Sequence, residues 1–287
     1  PCLFFKYDKE GKQSTICIHV DDLLMTSELK GGVKEIINKL ENKFEKVTHE
    51  LGNEINYLGQ TMRVNKDGSV DITMDKMMKE IISDAIELGI LETTNNNRIK
   101  SPGSELLFNI DDESPLLNKK DSDIFHRMVA RLLYLTKRIK PDMLLTVSFL
   151  STRVTKSTYQ DMDKLKRALE FLRNSYEQGM NGIKLDIGDK GVNIYAYIDA
   201  AYGIHETSGK SHTGCTIKIG DAPIFFHSSK QAIVVKSSTE AELVGMSDLA
   251  NQVIHIQRIL KELGYANKPA TIYQDNMSTI TMIEKGR

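Results

Sequence analysis

The chain has 287 residues, 40% of them apolar and 27% charged, which is long enough to bury the cores of more than one domain. Its 38 Lys and Arg against 39 Asp and Glu exclude a global basic field, so contact with a polyanion has to come from local basic patches or from cations held at acidic sites. Cys2, Cys17 and Cys215 lack CxxC spacing, which excludes a disulfide framework and a cysteine zinc site.

No apolar run approaches the roughly 18 residues of a membrane span, and no signal peptide precedes the first apolar residues. The expectation is an intracellular chain with no membrane partner. Its first residues already read as a strand and Arg287 follows a helix, so it reads as part of a longer protein.

In chain order, residues 4–7 and 16–20 predict a hairpin around Lys9-Glu-Gly-Lys12. The acids Asp21 and Asp22 then interrupt an apolar run that resumes at Leu23-Leu-Met25. The spacing of Val33, Ile36, Ile37, Leu40 and Phe44 predicts a helix over 32–47. Ile55-Asn-Tyr-Leu-Gly59 leads into a second hairpin, 61–64 with 70–73, around Asn65-Lys-Asp-Gly68. A helix over 75–88 stops at Gly89.

Residues 92–120 are polar and punctuated, including Thr93-Thr-Asn-Asn-Asn97 and Asp111-Asp-Glu-Ser-Pro115, and read as loop or linker. Helices follow over 125–139 and 143–153, then a third that Ser157 and Gln160 open as a capping box and Gly179 closes. This block reads as a helical bundle, whose basic residues Arg127, Arg131, Lys137, Arg138, Lys164, Lys166 and Arg167 could face either phosphate or water.

The last third changes character. A strand over 192–198 ends on Asp199, strands over 215–219 and 223–227 flank Gly220-Asp221, and Val234-Val235 forms a short third stretch. A helix over 239–263 follows, then a strand over 270–274 ending on Asp275 and a helix over 277–285. The chain is thus α+β, ending in a mixed sheet with helical cover.

In the 239–263 helix, Met246, Leu249, Val253, Ile256 and Leu260 form a core-facing stripe that runs back to Glu242, whereas Glu240 falls on the other side. A carboxylate on a buried face has to be paired, protonated or metal-bound. Asp199 and Asp275 at two strand ends and Glu242 on the inner helix face can converge, and divalent cations would relieve their mutual repulsion. Two such ions would activate water against a phosphodiester. The competing reading is a set of helix and turn caps.

Tyr197-Ile-Asp-Ala200, Phe226-His-Ser-Ser-Lys-Gln231, Ser237-Ser-Thr-Glu-Ala-Glu-Leu243 and Tyr273-Gln-Asp-Asn276, in this order, resemble the ribonuclease H domain of copia-type LTR retrotransposon polyproteins. Upstream, His19-Val-Asp-Asp-Leu-Leu24 resembles the reverse transcriptase catalytic turn and Tyr57-Leu-Gly59 the segment after it. The run from Met128 to Asp142, with Val147-Ser-Phe-Leu150, is similar to the helical segment between the two activities.

The resemblance implies the C-terminal part of a reverse transcriptase palm at 1–103, a helical thumb or connection region at 104–188, and an RNase H-like mixed α/β domain, incomplete at its C-terminus, at 189–287. Asp21 and Asp22 would be two of three palm metal ligands, the third lying upstream of residue 1. Asp199, Glu242 and Asp275 would be three of four ribonuclease H acids, the fourth lying beyond Arg287. Mg²⁺, or Mn²⁺ in its place, would be the cofactor of both nucleotidyltransferase and endonuclease chemistry. The partners would be an RNA template, a DNA primer, deoxynucleotides and the RNA–DNA hybrid, in a cytoplasmic virus-like particle or the nucleus. Two positions depart from the family pattern: His19 stands where Tyr is usual, and Ala201-Tyr202 where Asp-Trp is usual. A non-catalytic nucleic-acid-binding relic on the same fold is the alternative.

Overall fold

The computed structural model describes residues 2–94, 98–266 and 268–286. Pro1 of the first predicted strand, Asn95 to Asn97 of the linker and the terminal Arg287 lie outside the described residues. The chain is mixed α and β, with two compact units, Pro1–Lys66 and Asp67–Arg287.

In the first unit, β1 (Leu3–Tyr7), β2 (Gln13–His19) and β3 (Asp22–Ser27) form an antiparallel meander. The first turn is held by Asp8, whose Oδ1 accepts the N–H groups of Glu10 and Lys12. The apolar run after the paired acids is therefore a third strand. Helix α1 (Gly32–Phe44) stops short of the predicted residue 47: Ile37 is buried, but Phe44 is 62% exposed, so nothing holds the last turn to the sheet. Strands β4 (Glu54–Tyr57) and β5 (Gln60–Val64) pair around Leu58 and Gly59, whose φ values of 51° and 74° are those of a type I′ turn.

The second unit begins with β6 (Val70–Thr73) and α2 (Asp75–Glu87). Helix α3 (Lys119–Thr136) starts two turns before the predicted residue 125, because Asn118 caps it by accepting the Asp121 N–H at 3.0 Å. The apolar run marks where α3 becomes buried, not where it begins. A 3-10 turn (Pro141–Met143) leads into α4 (Leu144–Ser151), followed by α5 (Tyr159–Glu177). The capping box on α5 lies one residue later than predicted, between Thr158 and Asp161, while Gln160 accepts the Asp111 N–H. Phe125, Met128, Leu132, Val147, Leu165 and Leu169 form the bundle's dry core.

Several of the basic positions have intramolecular roles. Arg131 pairs with Asp84 and Glu80, Arg138 lies over Tyr134, and Lys164 bonds the Asn109 carbonyl.

Strand β7 (Gly182–Leu185), which the sequence reading missed, pairs with β6. Strands β8 (Ile194–His205), β9 (Lys210–Ile219) and β10 (Ala222–Lys230) form an antiparallel sheet, with β11 (Thr271–Tyr273) added parallel to β8 in the order β10-β9-β8-β11. β8 starts two residues later than predicted but runs seven residues past its predicted end, β9 starts five residues early, and β10 is longer at both ends. Val234 and Val235 join no strand; Val235 instead packs with Ala200 and Ala241. Helix α6 (Ser238–Glu262) lays Leu249 and Val253, with Met246, Ile256 and Leu260, on Ile194, Ala196, Ile198 and Ile217. Helix α7 (Met277–Lys285) closes the described chain and is tied to α6 by Thr279, whose hydroxyl donates to the Thr239 carbonyl. No helix among the described residues is long and apolar enough to cross a membrane.

Helix α4 docks on β10 through the Ser148 hydroxyl, which donates to the Ser228 carbonyl at 2.7 Å. Beside it, His205 and His212 are buried against Phe108, with ring nitrogens 3.0 Å apart and His212 Nε2 2.7 Å from Ser228 Oγ. Burial holds both rings at about 4, well below 6.5; the charge of Lys230 adds to this for His205, and His205 and His227 add to it for His212. Between those values the unfolded chain binds protons that the folded chain refuses. The pair's contribution is complete above about 6.5 and is lost as pH falls toward 4. Urea midpoints are expected to fall across this window, and His212→Asn to lower the slope by about one proton; equal slopes in the two proteins would refute the assignment.

Candidate metal centre

The centre is built around the first turn of α6. Ser237 caps the helix, its Oγ accepting the Glu240 N–H at 3.2 Å, and Glu240 turns back to accept the Lys236 N–H at 2.7 Å. Glu240 is thus an exposed first-turn acid with a local capping role. Glu242 lies on the opposite side, only 5% exposed, in line with the stripe that packs on the sheet. One turn on, Gly245 lets the helix approach closely: a Cβ there would stand 3.1 Å from the Thr213 methyl. Gln231 fastens the same turn, donating from Nε2 to Thr213 Oγ1 and to the Ala241 carbonyl.

The two aspartates are set by strand alternation. On β8, Ile194, Ala196 and Ile198 face α6, so Tyr195, Tyr197 and Asp199 face the other way. β11 runs parallel in the register Tyr273 to Tyr197, and two residues further Asp275 comes level with Asp199. Asp199 does not end its strand as predicted, because β8 continues to His205. What ends there is the pairing with β11, and this opens the sheet beside Asp199. Asp275 lies two residues past β11, just before Asn276, which caps α7 by accepting the Thr279 N–H.

Asp199, Glu242 and Asp275 bring one ligand atom each to within 4.8 Å of one another. Among the described residues they form the one such grouping of three or more His, Cys, Asp or Glu side chains. Glu242 is held at both oxygens: Oε1 accepts the Ala200 N–H at 3.1 Å and Oε2 accepts from Gln274 Nε2 at 2.9 Å. Gln274 is itself oriented by accepting the Asn276 N–H at 2.9 Å. Burial raises the Glu242 pKa and the charges of Asp199 and Asp275 add to the rise, against the hydrogen bonds from Gln274 and Ala200.

Three oxygen donors, one of them desolvated and all mutually repelling, suit a hard divalent cation with open coordination positions. Asp199 and Asp275 open onto a cleft of about 810 Å³ over the outer sheet face, lined by Tyr197, Tyr273, Phe226 and Leu145 among others. Gln274 and Gln231 escaped sequence reasoning because a neutral amide gives no charge signal.

Asp21 and Asp22 belong to the first unit. The β2–β3 register pairs His19 with Asp22, leaving Val20 and Asp21 as a two-residue turn with both acids exposed. Val20 takes φ 54°, a left-handed conformation unusual for a β-branched residue. Strain of this kind often marks a functional turn.

The chain is similar to polyproteins of transposons. It is 22% identical over 283 residues to a truncated transposon Ty1-A Gag-Pol polyprotein of Saccharomyces cerevisiae, covering 96% of this chain and 23% of that protein. It is 23% identical over 287 residues to a retrovirus-related Pol polyprotein from transposon TNT 1-94 of Nicotiana tabacum, covering 98% of this chain and 21% of that protein. With the transposon Ty1-H Gag-Pol polyprotein of Saccharomyces cerevisiae the identity is 23%, over 96% of this chain and 16% of the relative. The chain therefore spans about a quarter or less of the length of these relatives. No protein-family model matches it, and no solved structure does.

Proposed function

We propose that this chain, a homologue along nearly its whole length of the Pol polyproteins of copia-type retrotransposons, is the part of such a polyprotein that joins a reverse transcriptase to a ribonuclease H. Residues 1–103 would be the C-terminal part of the polymerase palm, 104–188 the thumb or connection region, and 189–287 the ribonuclease H domain. The observation that carries the reading is the convergence of Asp199, Glu242 and Asp275 from three separate elements.

In this reading Asp199, Glu242 and Asp275 would hold Mg²⁺ for cleavage of the RNA strand in an RNA–DNA hybrid. Bound divalent ions would lower the pKa of an attacking water and offset charge on the leaving oxygen. The chain's own part is positioning. The Ala200 N–H and the Gln274 amide fix the Glu242 carboxylate, the parallel register sets the two aspartates side by side, and the cleft would admit the strand. Asp21 and Asp22, on their exposed turn, would hold the metal of the polymerase reaction, which joins deoxynucleotides to a DNA primer on an RNA template. The acidic sites and near-zero net charge are consistent with a nucleic-acid partner bound partly through cations. The setting would be a cytoplasmic virus-like particle or the nucleus.

The test is a cleavage assay with the chain carrying its flanking polyprotein sequence. In Mg²⁺, the RNA strand of a labelled RNA–DNA hybrid should be cut while the same RNA alone is left intact, and a chelator should stop the reaction. Hybrid binding without any cleavage would favour the non-catalytic alternative.

A further inference from the structure

Tyr195, Tyr273 and Tyr197 stand in a row on the outer face of the sheet, and the row leads into the carboxylates. Tyr197 and Tyr273 stack with ring centroids 4.8 Å apart and planes 10° from parallel, and Tyr195 lies 6.4 Å from Tyr273 with planes 27° apart. Lys218 lies over Tyr197 at 5.8 Å and Lys190 over Tyr195 at 5.5 Å. Tyr197 and Tyr273 are thus already stacked on each other, with Tyr195 and the two ammonium groups further off. Of the three, Tyr197 is 40% and Tyr273 47% exposed. Cross-strand stacking accounts for the rings. It does not account for two exposed tyrosines, Tyr197 and Tyr273, lining a cleft that also contains Asp199 and Asp275. Lys190 is already paired with Asp221 at 2.7 Å, whereas no ion pair is seen at Lys218 among the described residues.

We infer that this tyrosine row, with Lys218, is a rail for the sugar–phosphate backbone of the nucleic-acid strand that passes through the carboxylate site. Tyr197 precedes Asp199, and Tyr273 precedes Asp275, by one strand repeat of about 6.5 Å. A phosphate held at the acids thus has the next part of its backbone above the hydroxyls. Base stacking is disfavoured because Tyr197 and Tyr273 are already stacked on each other; hydrogen bonds to phosphate or 2′-hydroxyl are favoured because each brings a hydroxyl donor to the cleft. The inference rests on the nuclease reading and names the residues that would align its substrate.

The test measures binding of a fluorescent RNA–DNA hybrid by anisotropy over a range of salt, together with cleavage. Tyr197→Phe with Tyr273→Phe keeps both rings and removes both hydroxyls. This double variant should melt as wild type does, bind the hybrid about 10-fold more weakly and raise KM with kcat little changed. Lys218→Met should reduce the salt slope by about one. If the wild-type chain binds the hybrid and Asp199→Asn abolishes cleavage, but the double Phe variant binds as wild type, the rail is wrong and the nuclease reading stands. If the wild-type chain binds no hybrid, both are wrong.

Discussion

Glu242→Gln is expected to abolish RNA cleavage in the hybrid assay while Glu240→Gln leaves it within about 2-fold. The two acids are two residues apart on one helix, and their surroundings divide them. Glu240 is exposed and accepts a backbone N–H next to its own helix cap, which a glutamine oxygen can also do. Glu242 is buried between Ala200 and Gln274 and beside two other carboxylates. The amide keeps size and shape but removes the charge a divalent cation needs, so the loss should exceed the roughly 100-fold typical of an outer-shell partner. The same change relieves repulsion and desolvation, because the buried acid has a raised pKa. Without metal, this relief opposes the loss of one of the two acceptor oxygens that face Ala200 and Gln274, so Glu242→Gln should melt within about 2 °C of wild type. Loss of activity with a lowered melting point would indicate a structural role for Glu242 instead. Equal loss in Glu240→Gln would mean that the helix presents the other acid.

The largest stability effect is expected at Asp161. It is fully buried and accepts from the Thr158 N–H at 3.0 Å, from the Thr158 hydroxyl at 3.1 Å and from Arg153 Nε at 3.1 Å. One carboxylate thus caps α5, pairs a half-buried guanidinium and orders the turn that enters the helix. That turn receives the preceding segment, since the Tyr159 N–H reaches the Pro115 carbonyl and the Leu117 N–H the Ser157 carbonyl. Asp161→Ala strands these donors in a dry site, and breaking a buried pair in this way costs about 3–5 kcal/mol. For a unit of this size the melting temperature should fall by on the order of 10 °C. Asp161→Asn, which keeps one acceptor oxygen, should lose less. A shift of under about 2 °C in Asp161→Ala would show that the network contributes little.

Periodicity served best where one face of an element is buried and the other wet. The α6 stripe singled out Glu242 because burial on that helix is one-sided, and the structure lays the same stripe on the sheet. It served worst where burial and secondary structure have different limits. Helix α3 starts in polar residues that only its Asn118 cap explains, and β8 runs past its apolar half into the pairing of His205 with Lys210. β7 alternates over only four residues, too few to stand out. Ser157 and Gln160 match the capping-box pattern, but Asp161 has the shorter reach back to its own cap residue and takes the role. Gln274 and Gln231 were illegible for a different reason. Their function is to orient a neighbour, and that is visible only once β11, α6 and β10 are folded together.

A divalent-metal site formed by Asp199, Glu242 and Asp275 is to be tested by Mn²⁺ binding to this chain, followed by electron paramagnetic resonance. Such a site requires saturable Mn²⁺ binding that Mg²⁺ competes away, that Asp199→Asn or Glu242→Gln removes, and that Glu240→Gln leaves intact. Mn²⁺ bound equally well by wild type and Glu242→Gln, or not bound by wild type at all, would contradict it.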